Sequence, residues 1–101
     1  GVQHIFSSSA AFAALKLDGS VVTWGSFKAG GTSTQVRTQL EGDVRWVYSN
    51  SAAFAAVKCK GAVVSWGDFA SGGNSDTVRD QLSSGVSHIV SSNHAFAAIK
   101  A

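Results

Sequence analysis

Three histidines, six carboxylates and a single cysteine are among the side chains of this chain that could carry protons, attack a substrate or hold a metal. Positions 4, 46 and 88 lie 42 residues apart and hold His4, Trp46 and His88. Exchanging His for Trp keeps an aromatic shape and discards the acid–base and ligand nitrogen, so these read as packing positions. His94 differs, because its equivalents are Ala10 and Ala52. One imidazole is no zinc site, which needs about three or four ligands, so His94 is read as a candidate partner contact. Asp18, Glu41, Asp43, Asp68, Asp76 and Asp80 do not recur at matching places, so no acid/base pair is built into the period. Asp76 reads as a first-turn helix residue, favourable at the positive end of the dipole. The Ser/Asn-rich stretches 7–9, 49–51 and 91–93 lack a Gly-x-Ser-x-Gly elbow and read as turns. Gly30-Gly31 and Gly72-Gly73 lack the Lys-Ser/Thr ending of a phosphate loop and read as backbone turns. Cys59, alone, forms no intrachain disulfide; its equivalent is Leu17, which predicts a small packing residue. No catalytic residue, cofactor site or metal site is expected, and the chain reads as a non-enzyme.

The elements that position these residues follow from the period. An Ala-Phe-Ala-Ala tract places Phe12, Phe54 and Phe96 at steps of 42 residues. The chain divides into units 1–42, 43–84 and a partial 85–101, about 2.4 units in one domain spanning 1–101. Residues 2–7 read as a strand with Val2, His4 and Phe6 on one face and Gln3, Ile5 and Ser7 on the other. Residues 11–17 read as a second strand, apolar on both faces, as suits a strand between two layers. Asp18-Gly19 predicts a two-residue type I′ hairpin turn, and Lys60-Gly61 keeps its glycine. Residues 20–25 read as the third strand, with Val22 and Trp24 on one face. A short helix over 33–41 follows, with Ser33 as N-cap and Val36 and Leu40 on one side. About two turns do not stand alone, so this helix must pack on the sheet. The expected fold is mainly β with short helices, built from tandem units of about 42 residues in β-β-β-(short α) order.

Among polar residues, Arg37/Arg79 and Gln39/Gln81 recur, one of each per full unit. They read as bridges to a loop or to the next unit, and the arginines as a row that could face an acidic partner. Trp24 and Trp66 read as anchors between units, and Phe27 and Phe69 in the following loops as exposed partner contacts.

Composition limits the partners. The chain is 45% hydrophobic and 14% charged with 11 Gly, which suits packed sheets. Its net charge of +2 comes from scattered Lys and Arg without a basic block, so no nucleic-acid partner is expected. No apolar run reaches the ~18 residues of a membrane-crossing helix, so no membrane partner is expected. No compartment follows from a lone cysteine.

Residues 11–25, Ala-Phe-Ala-Ala-Leu-Lys-Leu-Asp-Gly-Ser-Val-Val-Thr-Trp-Gly, resemble the repeat of the regulator of chromosome condensation family. Residues 53–67 match the same pattern with Lys60 at the Asp position, and 94–99 match its start. The unit length is nearer to that of the family's bacterial relatives. The resemblance implies blades of a β-propeller; its motif specifies a blade and not an activity. Propellers close with roughly 4–8 blades, which 2.4 units do not supply. The chain is therefore expected to be a homo-oligomer, a dimer favoured, with a symmetric mate covering the strand edge after Phe96. The expected function is that of a non-enzymatic binding module completed by self-association, with a protein partner held by rim loops. Its alternatives are an excerpt of a longer repeat array, or an enzyme whose site forms between subunits around His94 and a mate's carboxylates.

Overall fold

The computed structural model describes residues 1–26, 39–68, 84–93 and 95–100. These residues are mainly β. Eight strands run in chain order: β1 (Val2–Ser7), β2 (Ala11–Lys16), β3 (Val21–Gly25), β4 (Val44–Ser49), β5 (Ala53–Lys58), β6 (Val63–Gly67), β7 (Val86–Ser91) and β8 (Phe96–Lys100). They form three antiparallel meanders, β1-β2-β3, β4-β5-β6 and β7-β8. No α-helix is present among the described residues. The expected helix 33–41 falls outside them except at its end, where Gln39 and Leu40 form a tight 3₁₀ turn and Glu41 a bend. Its counterpart after Gly72-Gly73 lies wholly outside them.

Each first strand carries a bulge at the same place. Val2 pairs with Lys16 and His4 with Leu15, so Gln3 is an extra residue; Arg45 and Ser87 are its counterparts. The extra residue corrects the simple alternation expected for residues 2–7. It brings Val2 and Ile5, three apart, to one face, where they join Phe12, Ala14, Val22 and Trp24. This is the front face of the first sheet. The back face carries His4, Phe6, Ala11, Ala13, Leu15 and Val21.

The sheets stack front on back. One core holds Ala11, Ala13, Leu15 and Val21 from the back of the first sheet against Val44, Val47, Phe54, Ala56, Val64 and Trp66 from the front of the second, with Leu40 buried among them. The other holds Ala55 and Val57 from the back of the second sheet against Val86 and Ile89 from the front of the third. Sandwiched between its neighbours, β5 buries all of Ala53–Val57, which explains why its tract is apolar on both faces. Small alanines on the back faces let large front-face side chains such as Phe54 seat fully.

The turns differ from the expected type I′. Asp18 does not have positive φ, which type I′ requires, and the loop holds three residues between Lys16 and Ser20. Gly19 N–H donates to Lys16 O at 3.0 Å, and Gly61 N–H donates to Lys58 O at 2.8 Å. Gly19 and Gly61 adopt φ of 84° and 83°. A Cβ on Gly61 would sit 2.5 Å from the Gly85 nitrogen, so the turn must also be bare to meet the next unit. The meeting is a hydrogen bond: Val44 N–H donates to Gly19 O at 2.9 Å, and Val86 N–H to Gly61 O at 3.0 Å.

Candidate binding surface

Hydrogen bonding explains the Ser/Asn stretches as turns. Ser8, Asn50 and Ser92 each donate a backbone N–H to the carbonyl three residues on, at Ala11, Ala53 and Ala95. Asn50 Oδ1 also accepts from the amides of Ala52 and Ala53 at 3.0 and 2.9 Å. Neighbouring loops are tied together: Ser9 N–H donates to Ser51 O at 2.9 Å, and the Ser51 hydroxyl donates to Asn93 O. Ser26 N–H and Asp68 N–H donate to Ala10 O and Ala52 O at 2.9 and 3.0 Å. The chain therefore leaves β3 and β6 beside these same loops, and this end of the sheets is one continuous polar rim.

Phe27, Arg37, Phe69, Arg79 and His94, the candidate partner contacts, lie outside the described residues. Ser26, Asp68 and Asn93, which precede Phe27, Phe69 and His94 in the sequence, are themselves on this rim.

His4 meets Trp46 edge-on with ring centroids 4.6 Å apart, and Phe6 meets Trp46 at 5.0 Å. The aromatic shape shared by positions 4 and 46 thus serves contact between successive sheets. Arg45, the bulge residue beside Trp46, donates from its guanidinium to Ser87 O at 3.2 Å and to Val86 O at 3.4 Å. This inter-sheet tie was not legible in the sequence, because the equivalent positions hold Gln3 and Ser87 and the arginine does not recur. Cys59 corrects the packing role expected of it. It is exposed, as is Leu17, because both head the hairpin turn outside the sheet. Among the described residues no cluster of His, Cys, Asp or Glu is arranged to hold a metal.

Apolar surface collects at the two ends of the stack. On the front of the first sheet Val2, Ile5, Phe12, Val22 and Trp24 are all exposed. Their equivalents Val44, Val47, Phe54, Val64 and Trp66 are buried; Ile5 is 60% exposed and Val47 1%. On the back of the third sheet Ala95, Ala97 and Ile99 are exposed, whereas Ala11, Ala13 and Leu15 are covered. Ile99 is 51% exposed against 2% for Leu15. Sequence reading missed both surfaces, because the same residue types fill covered and bare positions alike.

No protein-family model matches this chain, and no curated protein matches it.

Proposed function

We propose that the chain is a non-enzymatic interaction module of propeller-type repeats, resembling the regulator of chromosome condensation repeat, that is completed by self-association and holds a protein partner through loops on its polar rim. The observation that carries this reading is the uniform stacking of the sheets, front on back with the same turn-to-strand hydrogen bond at each junction. A propeller blade is used in this way, with its function in the rim loops and its motif residues in architecture. The Trp-Gly pair supports the reading. Phe12 stacks on Trp24 at 5.5 Å and Phe54 on Trp66 at 5.4 Å, and a Cβ on Gly67 would sit 2.7 Å from the Ala53 Cα. Both residues of the motif are therefore held by packing, and Trp66 also lies in the core between the first two sheets.

The test is capture of a partner by the wild-type chain and by the double variant Phe27→Ser/Phe69→Ser. A partner held by the first and released by the second supports the module. A partner held equally by both removes Phe27 and Phe69 from the reading. Catalytic turnover lost in His94→Ala replaces it with the inter-subunit enzyme.

A further inference from the structure

We propose that copies of this chain dock head to tail, the bare front of the β1-β2-β3 sheet of one copy seating on the bare back of the β7-β8 sheet of another. The proposal rests on the self-association reading above and differs from a symmetric edge-to-edge dimer in what touches what. The molecule already makes this contact twice. The front of the second sheet seats on the back of the first, and the front of the third on the back of the second.

The two bare faces carry the same chemistry as the covered ones. On the fronts, Val2, Val44 and Val86 are equivalent, as are Ile5, Val47 and Ile89, and Phe12, Phe54 and Phe96. On the backs, Ala13, Ala55 and Ala97 are equivalent, as are Leu15, Val57 and Ile99. A surface that fits the front of the first sheet is thus already encoded on the back of the third. Among the described residues, no other exposed surface repeats the chemistry of the covered backs.

Strand placement removes one objection. The third sheet is described with two strands, whereas the first two sheets have three each. Inside the molecule, however, β4 lies against β1 and β2, and β7 lies against β4 and β5. An incoming first strand therefore meets the first two strands of the sheet beneath it, which β7 and β8 supply, while the third strand adds Val21 at the first junction and Val63 at the second. Such a contact is heterologous: two different surfaces meet, so copies close into a ring or extend as a chain.

The experiment uses the full chain and two charge substitutions at exposed positions. Ile5→Lys spoils the front and leaves the back intact; Ile99→Lys spoils the back and leaves the front intact. Val22→Lys and Val90→Lys are parallel variants for the same faces, and far-UV circular dichroism checks that each retains its strands. By sedimentation velocity the wild type is expected at two or more times its 10.4 kDa monomer mass. Each variant alone is expected as a monomer, and an equimolar mixture of one front and one back variant as a one-to-one complex. Monomeric wild type overturns self-association altogether, and with it this proposal. Assembled wild type with variants that still assemble alone, or folded variants whose mixture stays monomeric, overturns the head-to-tail contact and leaves self-association standing.

Discussion

Asp18 shows how a turn residue acquires a measurable property from its neighbour. Its carboxylate accepts from the Ser20 hydroxyl at 2.6 Å and from the Ser20 amide at 2.9 Å. These two bonds, the hydroxyl first, hold its pKa below the ordinary aspartate value of 3.8. Because folding depresses this pKa, the stabilisation it gives is complete above 3.8 and is lost as pH falls through the folded-state value. A carbon-detected NMR titration should place the Asp18 midpoint below 3.8, and Ser20→Ala should move it up towards that value. A wild-type midpoint at or above 3.8 contradicts the bonding. The second turn holds Lys60 in place of Asp18, so it contributes no such acid-sensitive term. Asp43 is a different case: it takes a left-handed φ of 64°, and Gly85 takes 77° at the equivalent place before β7. Its carbonyl accepts from Cys59 N–H at 2.7 Å, as Gly1 O accepts from Leu17 N–H at 2.8 Å.

At the level of elements, the turn glycine and the bulge decide how one sheet meets the next. Gly61→Ala forces a side chain against the Gly85 and Val86 nitrogens from a backbone with positive φ. It is expected to destabilise the chain by about 2 kcal/mol or more in urea denaturation, the sum of backbone strain and a weakened junction. A loss under about 0.5 kcal/mol would show that the junction tolerates a Cβ. The strands themselves were legible in the sequence: residues 2–7 match β1, and the other expected strands differ from the observed ones by one residue at an end. The face assignment of β1 was not legible, because an alternating string gives no sign that Gln3 is an inserted residue. Turn type was missed for a related reason. Asp-Gly is compatible with both two- and three-residue loops, and the choice falls to the Lys16–Ser20 pairing that precedes the next junction. The candidate partner contacts Phe27, Arg37, Phe69, Arg79 and His94 all lie outside the described residues; the bare apolar faces depend on stacking order, which a single unit does not reveal.

At the scale of the whole molecule, position in the stack decides what a residue is worth. Phe12 and Phe54 are the same residue in the same strand position, each stacked on a Trp, yet Phe12 is 42% exposed and Phe54 is not exposed at all. In dilute monomer, Phe54→Ala should cost about 3–5 kcal/mol through the cavity it leaves between two sheets. Phe12→Ala should cost about 1 kcal/mol, the share of its contact with Trp24 alone. Equal losses at the two sites would mean that the first front face is covered within the monomer. In the assembled state the two values should converge as the front of the first sheet becomes an interior surface. The most direct measurement is methyl NMR on labelled Ile99→Lys chain, whose front is intact, titrated with unlabelled Ile5→Lys chain, whose back is intact. Head-to-tail docking predicts that the methyl signals of Val2 and Ile5 shift while those of Val44 and Val47 stay in place. Shifts confined to the β8 edge, or no shifts at concentrations where wild type assembles, would contradict it.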